Sequence, residues 1–189
     1  MPKLVAFNSV TLDGYFSGPN TDITWAHKDR QDPEWNSFVI DNAGIGATLL
    51  FGRITYQLMA SYWPTNFAKQ RDPIVSERMN SVPKIVFSRT LSEATWMNTR
   101  LVKDDMVAAV RQMKQESGSD MAILGSGTIV KQLTEEGLID EYQFVVNAVA
   151  LGQGRTLFEG IKNKLSLKLA STRIFQNGNV YLIYEKELR

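Results

Sequence analysis

The sequence predicts an α/β protein with a single mixed, mainly parallel central sheet, helices on both faces and a C-terminal antiparallel hairpin. Three observations predict it. Short apolar runs alternate with stretches of helical spacing up to about residue 150, the pattern of strand–helix–strand units that need parallel pairing. Beyond that point the helical spacing stops and strand-like runs take over. Asn177-Gly178 then lies between two such runs, where it predicts a two-residue hairpin turn.

Taken in order, Leu4 to Val10 is a first strand, ended by the turn signal Asp13-Gly14. Residues 17–35 read as a long polar loop that carries Trp25 and Trp35. Asp32 caps a helix that Pro33 starts, with Trp35, Phe38, Val39 and Ile45 on its apolar face. Thr48 to Phe51 is a buried strand followed at once by Gly52-Arg53, and Ile54 to Tyr62 has helical spacing. Asp72-Pro73 repeats the cap-plus-proline signature for a helix to about Ser81. Lys84 to Phe87 is a strand that runs into Ser88-Arg89. Asp104-Asp105 caps a helix with Val107, Val110 and Met113 or Met106 inward, stopped by Ser117-Gly118-Ser119. Met121 to Leu124 is a strand, and Gly125-Ser126-Gly127 leads into a helix that Gly137 closes. Tyr142 to Val149 is a longer strand, and Leu167 to Glu185 is the hairpin. No repeat, linker or low-complexity stretch interrupts the chain, so residues 1–189 are expected to form one domain.

Composition narrows the chemistry. The chain has 189 residues, 43% hydrophobic and 22% charged, which is ordinary for a globular protein. It has no cysteine and one histidine, His27, which excludes thiolate metal sites, cysteine nucleophiles and multi-histidine metal sites. No metal is expected. With 21 basic against 20 acidic residues the net charge is +1, so no nucleic-acid partner is expected. No window of about 18 apolar residues exists to span a membrane, and the N-terminal apolar run is too short for a signal peptide. The expected location is cytoplasmic.

In a sheet of this kind ligands bind outside the carboxyl ends of the strands. Three predicted strands end alike: Phe51 into Gly52-Arg53-Ile54-Thr55, Phe87 into Ser88-Arg89-Thr90, and Leu124 into Gly125-Ser126-Gly127-Thr128. Two of these junctions open a helix, whose free N–H groups and dipole favour an anion. Glycine allows close approach of a phosphate, and the arginine fork suits it. Together they describe a site for a ligand with several phosphates, such as a dinucleotide. Taken singly, Gly125-Ser126-Gly127 also reads as a tight turn, and Arg53 or Arg89 as half of a surface salt bridge. There is no phosphate-binding GxxxxGK[ST] loop and no GxSxG elbow. Trp25, Trp35, Tyr62 and Trp63 could stack on a flat ligand, although Trp35 reads better as core, as do Met59 and Met113.

The ordered set Ser9-Val10-Thr11-Leu12-Asp13-Gly14, Leu50-Phe51-Gly52-Arg53-Ile54-Thr55-Tyr56, Lys84 to Thr90, Ile123 to Gly127 and Gly137-Leu138-Ile139-Asp140-Glu141 resembles the dihydrofolate reductase superfamily. More narrowly, it resembles the branch that holds the RibD C-terminal domain of riboflavin biosynthesis. Leu151 to Phe158 is similar to a glycine-containing segment of that branch. The resemblance implies that fold, NADPH as hydride donor and a homodimer. It implies that Gly52, Arg53 and Thr55 hold the pyrophosphate and adenosine phosphate. By the same resemblance Ser88 and Arg89 meet the 2′-phosphate side, and Gly125, Ser126, Gly127 and Thr128 form the turn under the cofactor. Trp25 resembles the tryptophan of a loop that covers nicotinamide and substrate.

Three departures bear on the substrate. Tyr15 stands where the riboflavin reductases commonly have Lys, and Leu124 or Gly125 where they have Glu before the glycine run. The folate-reductase carboxylate position on the first helix falls near Asn36 or Ser37. The expected function is therefore an NADPH-dependent reductase of a small polar substrate, heterocycles included, with weak or no turnover of dihydrofolate or the phosphoribosylaminouracil. Tyr15 and Trp25 would line its substrate pocket, which should favour a flat, less anionic molecule. Asp29 and Glu34 are candidate proton donors for a C=N bond, whereas Asp13 reads first as a turn residue. The rival expectation is a non-catalytic nucleotide-binding protein of the same fold.

Overall fold

The computed structural model describes residues 1–27, 32–116 and 118–187. Its strands are β1 (Leu4–Thr11), β2 (Tyr15–Ser17), β3 (Thr48–Gly52), β4 (Lys84–Phe87), β5 (Thr99–Val102), β6 (Met121–Leu124), β7 (Glu141–Asn147), β8 (Arg155–Thr156), β9 (Leu167–Ile174) and β10 (Val180–Lys186). Its α-helices are α1 (Pro33–Asn42), α2 (Arg53–Tyr62), α3 (Asn66–Arg71), α4 (Pro73–Ser81), α5 (Met106–Gln115) and α6 (Gly127–Glu135). An eight-stranded sheet runs in the order β5-β4-β3-β6-β1-β7-β10-β9, and β2 pairs with β8 beside it. Neighbours from β5 through to β7 are parallel, and β10 is antiparallel to both β7 and β9. This is the mixed, mainly parallel sheet with a closing hairpin that the sequence predicts.

Two-residue alternation along the strands builds the two faces. Leu4, Ala6, Leu50, Ile85, Met121 and Ile123 point to one layer, where Val110 of α5 and Ile129, Val130 and Leu133 of α6 cover them. Leu49, Phe51, Val86 and Ala122 point the other way, against Tyr56 of α2 and Val75 and Met79 of α4. Trp35 and Phe38 of α1 complete that second layer with Val145 and Phe175, and the edge of Phe175 meets Trp35 at a centroid distance of 5.0 Å. Trp35 is thus core. The predicted caps form: Asp32 accepts from the Trp35 N–H and Asp105 from the Ala108 N–H, both at 3.1 Å.

The elements that patterning leaves out are short or lie at an edge. β5 is an edge strand of four residues with no fully buried position. α3 is six residues long, and β2 and β8 are shorter still. No periodicity can build up over such lengths. The hairpin also differs from expectation. Its strands end at Ile174 and resume at Val180, so Asn177-Gly178 sits in a wider loop than a two-residue turn. The Phe175 N–H donates to the Asn179 carbonyl at 2.9 Å and the Gly178 N–H to the Phe175 carbonyl at 3.0 Å, which close the loop, while the Phe175 ring is buried against Trp35 and Phe38.

A buried cation anchors β4. Lys84 is 1% exposed. Its Nζ donates to the carbonyls of Met79 (2.9 Å), Asn80 (3.1 Å) and Val82 (2.7 Å) at the end of α4. It also lies 4.5 Å from the centroid of Trp96, whose Nε1 donates to Asn80 Oδ1 at 2.7 Å. Burial pushes the Lys84 pKa down from 10.5 to about 8. Between those values the unfolded chain holds the proton and the folded chain does not, so stability rises with pH. Lys84→Met strands three carbonyls and should cost on the order of 2 kcal/mol at neutral pH. In urea melts the wild type should gain stability over that variant from about pH 8 to 10.5. Parallel stability curves across that window would show that Lys84 keeps its proton.

Candidate active site

The carboxyl ends of β3, β4, β5, β6 and β1 open on one cleft of about 1070 Å³. β6 stops at Leu124, opposite Phe7, while β1 continues to Thr11 beside β7. The β6 side of Asn8 and Ser9 therefore borders the cleft, which both residues line. Neither polar atom of the Asn8 side chain has a hydrogen-bond partner among the described residues.

The predicted phosphate-binding junctions meet here. Gly52, Arg53, Thr55, Ser88, Arg89, Gly125, Ser126, Gly127 and Thr128 all line the cleft. Hydrogen bonds join the first junction to the third. The Gly52 N–H donates to Ser126 Oγ at 3.0 Å, and the Ser126 N–H donates to Thr55 Oγ1 at 3.2 Å. Gly125 and Ser126 both take left-handed backbone, with φ of 59° and 56°. That double reversal turns the chain from β6 into α6. Neither α2 nor α6 has a side-chain cap, and the first-turn residues of both helices line the cleft, although the Ile129 N–H of α6 already donates to the Ser126 carbonyl at 2.8 Å.

The cleft wall carries four cations. Arg53 bonds only to Gln57 of its own helix, at 3.2 Å, and Arg89 has no ion pair among the described residues. Among the described residues neither arginine forms the surface salt bridge of the alternative reading. Lys103, at the end of β5, and Arg155 join them in the lining. The sequence reading missed both. Lys103 follows a strand too short to see, and Arg155 lies in the segment 151–158 that the resemblance had picked out. Asp104 and Asp105 are the carboxylates among the described lining residues, and Asp105 is spent on the α5 cap. Two uncapped helix N-termini beside four cations suit an extended ligand with several phosphates.

The other half of the cleft lies over α1, α2 and α4. Val39, Ala43, Leu58, Met59, Trp63, Val75 and Met79 line it, with Ile23, Trp25 and His27 from the loop after β2. Trp25 is half-buried, and its Nε1 donates to the Asp22 carbonyl at 3.1 Å. The Asp22 carboxylate holds that turn by accepting from the Thr24 N–H and hydroxyl, which lowers its pKa. Met59 belongs both to this wall and to the core packing.

Other expected site residues lie elsewhere. Tyr15 is outside the cleft lining. β2 turns it towards Gly154, where an added Cβ would come within 3.1 Å of its ring, and presents Phe16 to the cleft instead. Glu34 is also outside the lining, with its Oε1 accepting from Arg173 Nη2 at 3.1 Å. Asp29 lies outside the described residues. Asp13 is a clamp. Its carboxylate accepts from the Thr11 hydroxyl (2.6 Å), the Gly152 N–H (2.7 Å) and the Leu151 N–H (3.0 Å), and the Thr11 bond leads in lowering its pKa.

The model of the RibD C-terminal domain family matches residues 2–181. The chain belongs to this family. It is 30% identical over 184 residues to the uncharacterized protein YyaP of Bacillus subtilis (strain 168), covering 96% of this chain and 94% of that one. A crystal structure from Shewanella sp. PV-4, of a protein named for riboflavin biosynthesis, superposes with a TM-score of 0.76 at 19% identity, covering 98% and 99% of the two chains. Dihydrofolate reductase from Enterococcus faecalis, complexed with NADP(H), superposes with a TM-score of 0.63 at 15% identity over 98% and 96%. The fold is thus the dihydrofolate reductase-like fold, a reductase architecture. Within the chain, no helix of the described residues is long and apolar enough to cross a membrane, and no described group of His, Cys, Asp and Glu could hold a metal ion.

Gly127 shows why one glycine of the turn is needed. A Cβ on it would lie 2.5 Å from the Phe16 ring, and Arg155 stands 5.6 Å from that ring's centroid. Close packing of Phe16, rather than positive φ, demands glycine there. Gly127→Ala should destabilise the protein by about 1–3 kcal/mol through overpacking. Combining it with Phe16→Ala should cost less than the sum of the two single changes, as denaturant melts of all three variants would show. Additive losses would remove Phe16 as the reason.

Proposed function

We propose that this protein is an NADPH-dependent reductase of a small cyclic substrate. The observation that carries the reading is the cleft itself: a wall of uncapped helix N-termini and cations continues into an apolar pocket. From the end of β4 to β1 is three strand spacings, roughly 14 Å, enough to lay an extended dinucleotide across the sheet edge. The NADP(H) held by the structurally similar dihydrofolate reductase supports the same choice.

The residues present fit that cofactor. Arg53 and the first turn of α2 would meet the pyrophosphate, and Arg89 with the Ser88 hydroxyl would meet the 2′-phosphate. Gly125 to Thr128 would carry the backbone past the second phosphate and the ribose, since the left-handed turn leaves α6 uncapped there. Bound NADPH supplies the hydride, and the reduced substrate gains one proton besides. Trp25 and its loop would cover the reacting face and exclude water. Glu34, paired with Arg173, is not placed to donate that proton. The expected homodimer belongs to the same proposal. β9 is a nearly fully exposed edge strand that shows Leu169 and Ile174 to solvent, and sedimentation equilibrium would test the pairing.

Calorimetric titration should show NADPH binding more tightly than NADH. Arg89→Ala should weaken NADPH about 10- to 100-fold, the value of one charge-assisted contact, and leave NADH nearly unchanged. Equal wild-type affinity for the two cofactors would overturn the 2′-phosphate assignment. Oxidation of bound NADPH by an added substrate separates a reductase from a protein that only binds the nucleotide.

A further inference from the structure

We infer that the substrate half of the cleft takes a neutral, flat, conjugated ring and rejects anionic ones. This rests on the reading of the other half as the NADPH site. The side chains over α1, α2 and α4 are Val39, Ala43, Leu58, Met59, Trp63, Val75 and Met79. Apart from Arg53, which opens α2 and bonds to Gln57 one turn along it, no carboxylate, lysine or arginine of the described residues lines that side. The other three cations of the wall are on other elements: Arg89 and Lys103 at strand ends, and Arg155 over Phe16.

The apolar surface does not stop at the floor. Ile54 and Leu58 lie one helical turn apart on α2, line the cleft, and are 48% and 45% exposed. Large apolar side chains left open on the rim of a pocket mark a surface that an apolar ligand covers. Met59 Sδ and the Trp63 indole, 3.2 Å apart, give a polarizable wall, and Trp25 stands on the loop opposite. The polar groups on this side are the His27 imidazole from the loop and the amide of Asn42, whose buried Oδ1 has no partner among the described residues. An ionised carboxylate, sulfonate or phosphate moved against these apolar side chains loses its water and gains no counter-charge from them, a penalty of several kcal/mol. The two halves thus sort charge: phosphates to the strand ends, a neutral ring to the helices.

A matched pair of probes tests this: 1,4-naphthoquinone and its 2-sulfonate. The protein has no cysteine for a quinone to alkylate. Reduction balances as quinone plus NADPH plus one proton giving hydroquinone plus NADP⁺, the ring taking two electrons and two hydrogens. Binding is read by quenching of tryptophan fluorescence in the wild-type protein, and turnover by NADPH oxidation over an enzyme-free blank. NADPH affinity is measured separately by calorimetry. The neutral quinone should bind at least about 30-fold more tightly than the sulfonate and be turned over, with dihydrofolate, whose tail is anionic, far behind. Leu58→Glu, at an exposed position that folding should tolerate, should weaken the neutral quinone about tenfold and leave NADPH affinity as it was. Leu58→Lys should bring the sulfonate to within a few-fold of the neutral probe. If NADPH binds but the sulfonate or dihydrofolate binds as tightly as the neutral quinone, the substrate class is overturned and the cofactor reading stands. If NADPH does not bind, the reductase reading falls and takes this inference with it.

Discussion

The backbone reversal at Gly125-Ser126 is the constraint on which the site depends. Two successive left-handed residues end β6 and start α6. The same reversal aims Ser126 at its neighbour: its hydroxyl accepts from the Gly52 N–H and its own N–H donates to Thr55. Those two bonds lock the start of α2 to the start of α6. Both helix N-termini then line one cleft without a side-chain cap, an arrangement that suits an anion. A side chain at Gly125 would have room beside Thr55, 3.4 Å away, but would have to adopt positive φ, so it is the backbone that favours glycine there.

Early termination of β6 is the second half of the same device. Because β6 ends at Leu124 while β1 runs on beside β7, a gap opens in the middle of the sheet and not at its edge. The chain builds outward from β3 to β5 on one side of that gap and returns to β7 on the other, which makes it a topological switch point. Lys84 steadies the far side. It ties the start of β4 to the end of α4 through three carbonyls, and so fixes the strand whose other end presents Ser88 and Arg89. The helices above then divide the gap: α6, Phe16 and the Arg53 end of α2 border the charged half, and α1, α4 and the rest of α2 the apolar half.

Most of the fold was legible in the sequence because it is written in local terms. The alternation of Leu49, Leu50 and Phe51 between two layers, the Asp32 and Asp105 caps, and the prolines that open α1 and α4 act within a few residues of themselves. That the nine residues of the three junctions stand at strand ends was legible too, because an apolar run broken by glycine, serine or arginine is a local signal; the structure places all nine along one cleft. Glu34 and Tyr15 were less legible. Each had the right chemistry near the right place, but Glu34 is turned to Arg173 of β9 and Tyr15 to Gly154, partners more than a hundred residues away.

The sequence by itself determined the layered α/β architecture, the residues that stand at three strand ends and the lack of thiolate or multi-histidine ligand sets. Those follow from periodicity, turn residues and composition, which need no long-range contact. Tertiary structure alone decided that Ser126 joins two helix starts and that Phe16 rather than Tyr15 faces the cleft. It also brought Lys103 and Arg155 into the wall and gathered Met59, Trp63, Val75 and Met79 into one apolar pocket. The physical reason is that each of these depends on strand order and helix packing. A side chain at a half-buried position reads as core until the neighbouring strand is known to stop short.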